Sequence, residues 1–272
     1  MIPIELQPDQ DPSRWDDHVS VYERVFEPFS TTFAKTAIAA LGVTIGSRCL
    51  DVGCGSGAAA LEMASIGGLV DAVDLSGAMI DRVKERALAA GATVNGHQMD
   101  GQALAFADDS FDAGMSVFGI ILFPDTVAGL RELRRVVIPG GSVAVVAWTQ
   151  PQDFELAMAL RTAVTMVRPD IGPQALPAQL RFRELADFRA LFSAAGFERV
   201  SVTTHTAEIR APSAKWLADR IAFAPGMSAM ICSLGKDAPA VLDCFVKNLE
   251  TVHDKGPVAL KGTAFIGLAR VT

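Results

Sequence analysis

The sequence lacks several features that mark whole classes of protein. Its 272 residues include four cysteines, none in a CxxC pair or in a His/Cys cluster with metal-ligand spacing, which argues against a zinc site. No uninterrupted apolar run reaches the roughly 18 residues that a membrane span needs. The first residues, MIPIELQPDQDPSRWDD, are polar and acidic, unlike a signal or transit peptide. We therefore expect a cytoplasmic protein with reduced thiols, no metal and no membrane span.

A basic surface is also missing. Lys and Arg number 24 against 31 Asp and Glu, which gives a net charge of −7. Proteins that bind nucleic acids usually carry a basic patch, so we expect no nucleic-acid partner and a small-molecule substrate instead. Half of the residues are hydrophobic, which is enough for a sizeable core, and the length suits one domain over residues 1–272.

Short apolar runs alternate with helical patterns through the middle of the chain. Strands are expected at 47–53, 69–76, 93–100, 111–120 and 142–148, with two more at 199–209 and 262–271. Ser76 is a plausible cap for a helix that ends at Gly91, Asp125 for a second helix, and PGG (139–141) closes that second helix. The alternation predicts an α/β fold with a mostly parallel sheet and helices on both faces.

The flanking segments are predominantly helical. Residues 14–42 have a helical pattern that ends at Gly42, and FRELADFRALFSAAGFERV (182–200) predicts another helix. Residues 150–181 show little periodicity, whereas the stretch between the last two strands has helical character. We expect N-terminal lid helices at 1–34, a ligand-binding core at 35–150, and substrate-side lid or insertion segments at 150–181 and 211–260.

A glycine-rich loop follows the first expected strand in CLDVGCGSGAAA (49–60). Its three alternating glycines let a ligand approach the backbone, and the following helix offers unpaired N–H groups. The loop satisfies the dinucleotide fingerprint, and Asp74 follows at the distance of a ribose-binding acid. Two further acids, Asp51 and Asp100, end neighbouring strands. Because a carboxylate beside a pyrophosphate is repulsive, Asp51 favours a ligand with a cationic or amino group.

Four motifs in order resemble the class I S-adenosylmethionine-dependent methyltransferases, in the branch that includes the ubiquinone and menaquinone biosynthesis enzymes. They are CLDVGCGSG (49–57), VDAVDLSGAMI (70–80), MDGQALAFADDSFD (99–112) and ELRRVVIPGGSVAVVAW (132–148). The resemblance covers residues 35–150, and AAGFERVSV (194–202) supports it. It implies a Rossmann-like fold, with a seven-stranded, mostly parallel sheet whose terminal strand is antiparallel, and helical lid elements.

The same resemblance implies S-adenosyl-L-methionine as the cofactor and gives roles to individual residues. Gly53, Cys54 and Gly55 would line its methionine part, with Asp51 near the amino group, and Asp74 would accept from both ribose hydroxyls. Leu75 and Met79 would cover the adenine, and Asp100 would accept from its amino group beside Gly101 and Gln102. Val117 and Phe118 would border the reactive methyl. Two simpler interpretations stay open: Met79 as a core residue and Asp100 as a turn cap.

The acceptor is less well specified. His18 and Tyr22, four residues apart on a helix, are weak candidates for a base and a methyl-site residue. Aromatic and Met side chains outside the core suit a flat or lipophilic acceptor, although lid packing would explain many of them: Trp15, Tyr22, Phe26, Phe29, Trp216, Phe223 and Met227. Quinone-type relatives carry an Arg-Asn pair where this chain has FGIILFPD (118–125), which argues against a quinone.

The sequence therefore predicts methyl transfer to a small, apolar or aromatic molecule. Whether the acceptor atom is oxygen, nitrogen or carbon stays open, as does the oligomeric state. Two alternatives are an NAD-dependent oxidoreductase and a non-catalytic protein that binds S-adenosylmethionine.

Overall fold

A computed structural model describes residues 6–172 and 176–272 and places a seven-stranded sheet at the centre of the molecule. The strands are β1 (Arg48–Val52), β2 (Leu69–Asp74), β3 (Val94–Gln98), β4 (Phe111–Val117), β5 (Val137–Trp148), β6 (Val200–Ala211) and β7 (Val258–Arg270). Their order across the sheet is β3-β2-β1-β4-β5-β7-β6. The last strand, β7, runs antiparallel to both of its neighbours, and the pairs among β1 to β5 are parallel.

This topology confirms the expected mostly parallel sheet with an antiparallel terminal strand. The terminal strand lies inside the sheet, however, because β7 inserts between β5 and β6 and leaves β6 at the edge. Central strands are buried on both faces: every residue from Val143 to Ala147 is 0% exposed. Such continuous apolar strands are typical of parallel sheets covered by helices on both faces.

Eleven α-helices are present in the described part of the chain. They are α1 (Pro12–Trp15), α2 (Val19–Val25), α3 (Glu27–Leu41), α4 (Ala58–Ser65), α5 (Gly77–Ala90), α6 (Thr126–Val136), α7 (Glu155–Val167), α8 (Leu185–Ala194), α9 (Ala214–Ala218), α10 (Pro225–Ser233) and α11 (Ala238–His253). The expected caps are observed: Ser76 Oγ accepts from Met79 N–H at 3.1 Å, and Asp125 accepts from Ala128 N–H at 2.8 Å. None of these helices is long and apolar enough to cross a membrane.

Three sequence-based boundaries are wrong. PGG (139–141) does not end α6, because β5 already begins at Val137, which pairs with Phe111 before the register shifts at a bulge. Gly140 has a φ of +83°, which suits a glycine in a bulged strand. The irregular 150–181 segment contains a regular helix, α7. The N-terminal pattern is divided into three helices, with breaks at Asp16–His18 and at Phe26.

Helix α3 connects the N-terminal segment to the core. It packs across β4, β5, β6 and β7 on one face of the sheet and also contacts α4. Phe29, Phe33 and Ala37 on α3 are 0–1% exposed. The N-terminal helices are therefore anchored against the carboxyl ends of the strands, where open α/β sheets bind their ligands.

Candidate functional site

The site lies at the topological switch point of the sheet. From β1 the chain winds outwards through β2 and β3 on one side, and β4 and β5 continue on the other side. The loops that leave β1 and β4 therefore lead to helices on opposite sides of this point, and the carboxyl edge there is the usual ligand position in doubly wound sheets.

The glycine loop after β1 forms one wall of the crevice. Gly53, Gly55 and Gly57 have φ values of +68°, +53° and +90°, a region that side chains disfavour. A Cβ added at Gly53 would lie 2.8 Å from the Cα of Gly119, so the loops after β1 and β4 touch backbone to backbone. The sequence requires glycine here for close approach as well as for conformation.

Asp51 lies beneath this loop and is almost completely buried, with 1% of its surface exposed. Among the described residues its Oδ2 atom has no hydrogen-bond partner. Burial, together with the nearby Asp74 carboxylate, raises the pKa of Asp51 to about 7. A buried carboxylate oxygen without a donor is costly, so this atom marks a place for a donor from a bound molecule, either a ligand group or a water.

Asp51 borders a small cavity of about 20 Å³, which has room for about one water molecule. Its lining combines the glycine loop with the N-terminal helices: Tyr22, Glu27, Ser30, Thr31, Ala34, Asp51, Gly53, Cys54, Ala58, Ala59 and Val117. Two carboxylates, Asp51 and Glu27, face this cavity. The cavity therefore suits a positively charged or hydrogen-bond-donating group.

Asp74 ends β2 and ties the glycine loop to the next helix. Its Oδ2 accepts from Gly55 N–H at 2.9 Å, and its Oδ1 accepts from Ser76 N–H at 3.0 Å. Burial is the main cause that raises the pKa of Asp74, and the Asp16 carboxylate adds to it. Each carboxylate oxygen can accept more than one hydrogen bond, so Asp74 keeps capacity for a ligand diol.

The N-terminal segment covers this part of the site. Asp16 accepts from Ser76 Oγ at 2.6 Å and from Ala78 N–H at 3.2 Å, at the start of α5. Leu75 is 38% exposed, whereas Met79 is 2% exposed. Sequence reasoning did not single out Asp16, because nothing in a polar N-terminal segment indicates which helix it will cap.

Asp100 closes the turn after β3. It accepts from Gln102 N–H at 2.8 Å, and the Gln102 side-chain amide also donates to it at 3.1 Å. Gln102 in turn accepts from Asp125 N–H at 2.9 Å. Gly101 packs tightly, since a Cβ there would lie 2.6 Å from the Phe123 ring. The turn-cap interpretation of Asp100 therefore describes its contacts in the structure, and its adenine role stays a prediction.

Val117 and Phe118 leave β4 on the acceptor side. Val117 lines the small cavity, and Phe118 has a φ of +58°, which is uncommon for an aromatic residue. The Phe118 ring stacks on Trp148 at 4.4 Å between ring centroids. Strained backbone held by packing is frequent at ligand sites, and the role of the pair beside the reactive methyl stays a prediction.

His18 and Tyr22 do not share a face towards the site. His18 is the first residue before α2, and its Nδ1 lies 2.6 Å from the Arg14 carbonyl oxygen, outside the cavity lining. Tyr22 does line the cavity, and its hydroxyl lies 3.4 Å from the position of a Cβ on Gly55. Burial and the surrounding acids Glu27, Asp74 and Asp51 raise the pKa of Tyr22. The turn at Asp16–His18 between α1 and α2 places His18 ahead of the helix that carries Tyr22, which accounts for the different directions of the two side chains.

An aromatic cluster occupies the expected acceptor side. Phe26 stacks on Phe223 with centroids 5.5 Å apart and an interplanar angle of 10°, and Phe29 stacks on Trp148 at 6.0 Å. The cluster consists of Phe26, Phe29, Phe33, Phe118, Trp148, Phe154 and Phe223. Three other predicted residues lie outside this cluster. The Trp15 ring packs edge-on against Tyr22, with 5.9 Å between ring centroids, and the Arg220 guanidinium lies over the Trp216 ring. Met227 is half-buried.

Sequence reasoning missed the ionic network that holds the N-terminal helices to the glycine loop. Arg86 on α5 donates to Glu27 at 2.7 Å and to the Ser56 carbonyl at 3.0 Å, and the Ser56 hydroxyl donates to Glu27. Arg82 forms a two-pronged pair with Glu23 at 2.6 and 3.1 Å. The network is formed by packing between distant segments, which no local spacing indicates.

Comparisons with known proteins agree with this geometry. Residues 50–145 match a family described as methyltransferase domain, Methyltransf_11. An uncharacterized protein of Mycobacterium tuberculosis is 36% identical over 161 residues, which cover 59% of this chain and 57% of the relative. The demethylmenaquinone methyltransferase of Corynebacterium kroppenstedtii is 39% identical over 108 residues, 39% of this chain and 44% of the relative. The chain thus spans about half the length of these curated relatives.

A solved structure extends the likeness to the whole fold. Phosphoethanolamine N-methyltransferase 2 of Haemonchus contortus, in complex with phosphomonomethylethanolamine and S-adenosylhomocysteine, superimposes with a TM-score of 0.58 at 19% identity, over 95% of this chain and 58% of that one. The Rossmann-like fold expected from the sequence is therefore confirmed, and the match of residues 50–145 to the methyltransferase-domain family agrees with the resemblance.

Proposed function

We propose that this chain, which carries a methyltransferase domain of the Methyltransf_11 family in residues 50–145, transfers a methyl group from S-adenosyl-L-methionine to a small, flat and largely apolar molecule. The observation that carries the proposal is the buried Asp51 Oδ2 atom, which lacks a donor within the described residues. When bound, the cofactor supplies a methyl group on a cationic sulfonium, whose departure leaves a neutral sulfide.

The charge of the cavity discriminates between the candidate cofactors. An α-amino group beside Asp51 would supply the missing donor, and hydrogen bonds to a charged group contribute about 1.5–3 kcal/mol each. The pyrophosphate of NAD would instead approach the carboxylates of Asp51 and Asp74, and such like-charge contacts are unfavourable. The acids thus favour S-adenosylmethionine over a dinucleotide at the same glycine loop.

The remaining residues fit the rest of such a ligand. Asp74 retains acceptor capacity for the two ribose hydroxyls, and the resemblance places Leu75, Met79, Asp100, Gly101 and Gln102 around the adenine. The backbone of Gly53, Cys54 and Gly55 would contact the methionine part. On this proposal, Asp16 and Tyr22 of the N-terminal segment close over the cofactor and exclude water.

The aromatic cluster supports a flat acceptor. Phe26, Phe118 and Phe223 lie next to the end of β4, where the resemblance places the reactive methyl, and aromatic side chains of this kind can stack with the ring of a flat molecule. Alignment of two bound reactants alone can be worth effective molarities on the order of 10⁵ M or more. We infer that positioning is the main contribution of this chain.

A general base is not needed for this proposal, and the structure offers a poor one. His18 hydrogen-bonds to the Arg14 carbonyl outside the cavity. Tyr22 faces the cavity, but its raised pKa keeps the phenol protonated at neutral pH. Tyr22 would therefore act as a hydrogen-bond donor that orients the bound molecule.

Calorimetric titration with S-adenosylmethionine, S-adenosylhomocysteine and NADH tests the proposal. We expect micromolar binding of the first two and none of NADH, and Asp74→Ala should weaken the binding at least tenfold. Binding of NADH alone would restore the oxidoreductase alternative. Formation of S-adenosylhomocysteine with a panel of flat apolar acceptors, followed by mass spectrometry, separates an enzyme from a non-catalytic cofactor-binding protein.

A further inference from the structure

A second, larger cavity lies on the other side of helices α2 and α3. It is a groove of about 580 Å³ between these helices and the paired ends of β6 and β7. Its volume is in the range of pockets that hold small organic ligands. The groove is lined by Arg24, Val25, Pro28, Phe29, Thr32, Thr206, Ala207, Glu208, Arg210 and Lys261. It shares no lining residue with the small cavity beside Asp51.

The floor of the groove is apolar. Val25, Phe29 and Ala207 line it although each is less than 9% exposed, and Pro28 lies beside them. The Phe29 ring also stacks on Trp148 and Phe154, each at 6.0 Å between centroids. Phe29 therefore belongs both to the aromatic cluster and to the floor of the groove, so the groove adjoins the cluster.

The rim of the groove is basic, in contrast to the net charge of −7 of the whole chain. Three cations, Arg24, Arg210 and Lys261, line it with a single acid, Glu208. Lys261 pairs in register with Glu208 across the β6–β7 ladder, the usual geometry for a cross-strand ion pair. Glu208 instead binds Arg210 at 2.7 Å, and no carboxylate of the described residues lies within ion-pair distance of the Lys261 ammonium or the Arg24 guanidinium, although the Glu155 carboxylate accepts from the Lys261 backbone N–H at 2.7 Å.

We propose that this groove binds an anionic amphiphile, with the apolar part on the Val25–Phe29 floor and a phosphate or carboxylate head group between Arg24 and Lys261. Arginine and lysine both suit such head groups, and the hydroxyls of Thr32 and Thr206 lie within the same lining. The site is distinct from the methyl-transfer site and does not depend on its function.

Calorimetric titration with octyl phosphate, octanoate, 1-octanol and inorganic phosphate tests this inference on the full chain. We expect at least one of the two anionic amphiphiles, octyl phosphate or octanoate, to bind at least tenfold more tightly than 1-octanol and inorganic phosphate. Comparing the two anions shows which head group the groove prefers. Failure of both anions to bind, or equal binding of 1-octanol, would overturn the proposal. Equal binding of inorganic phosphate would overturn the role of the apolar floor.

A matched pair of double variants separates a site from general charge. Arg24→Gln/Lys261→Gln should weaken binding of the anion at least tenfold, whereas Arg161→Gln/Lys247→Gln, which removes the same charge from exposed positions outside the groove, should change it less than twofold. Equal losses in both would refute a defined site. Saturating S-adenosylhomocysteine should leave the binding unchanged, and competition would place the anion in the methyl-transfer site instead.

Discussion

The two cavities beside helix α3 differ in size and charge, although one helix forms a wall of both. Glu27, Ser30, Thr31 and Ala34 face the small cavity of about 20 Å³, at the i, i+3, i+4, i+7 spacing of one helix face. Pro28, Phe29 and Thr32 face the groove of about 580 Å³ on the adjoining side. The first cavity presents carboxylates and the second presents cations.

This difference shows how a single helix can separate two ligand chemistries. Acids facing inwards, where burial excludes water, select a cation strongly, because charge interactions increase in a low-dielectric environment. Cations on an open rim are solvated and select an anion more weakly. We therefore expect substitutions in the small cavity beside Asp51 to change ligand affinity more than equivalent substitutions in the groove.

The largest effect should come from Asp51→Asn. The change keeps the shape of the side chain but removes the charge that would bind an ammonium group, and the loss should be at least 100-fold in affinity for S-adenosylhomocysteine, or about 3 kcal/mol. Calorimetric titration measures it. Asp81→Asn, at an exposed position of α5 with 79% side-chain exposure, is the matched control and should leave affinity unchanged. Comparable affinity in the two variants would contradict the role of Asp51.

A second prediction concerns the attachment of α3 to the glycine loop. Glu27→Gln leaves Arg86 without its charged partner in a pair whose side chains are only 11% and 24% exposed, so we expect a loss of about 2 kcal/mol in the free energy of unfolding. Urea denaturation measures it.

An exposed ion pair on the same helix is the control for this attachment. Lys35 on α3 pairs with Glu62 on α4, at 60% and 35% exposure, and Glu62→Gln should cost less than about 0.5 kcal/mol. A double-mutant cycle of Glu27→Gln with Arg86→Gln should show coupling of about 1–2 kcal/mol. Additive effects would mean that the pair does not hold the N-terminal helices in place.

The cofactor side of the molecule could be predicted from the sequence to a greater extent than the acceptor side. The glycine loop and the acids Asp51 and Asp74 are determined locally, since strand ends and glycines are visible in the chain, and the structure brings these residues to one sheet edge. Glu27 and Arg86 are 59 residues apart, and only packing brings them together. His18 illustrates the same limit, because the direction of its side chain depends on a helix break that the periodicity of residues 14–42 does not indicate.

The last prediction is a pH-dependent change in stability at Asp51. Its pKa is raised from 3.8 to about 7, so between these values the folded state binds more protons than the unfolded state. The stability of the wild type therefore falls as the pH rises through this window, and the loss is complete above pH 7. Asn cannot ionise and avoids this loss, although its amide is also buried without all of its partners.

We therefore expect the Asp51→Asn variant to match the wild type in stability near pH 4 and to exceed it near pH 7.5 by up to about 4 kcal/mol, since the shift spans about three pKa units at about 1.4 kcal/mol each. Urea denaturation of both proteins at several pH values measures the difference. A constant difference in stability from pH 4 to 8 would mean that burial does not raise the pKa of Asp51. A gain in stability together with a loss of cofactor affinity would show that the chain retains an unfavourable buried charge because the ligand requires it.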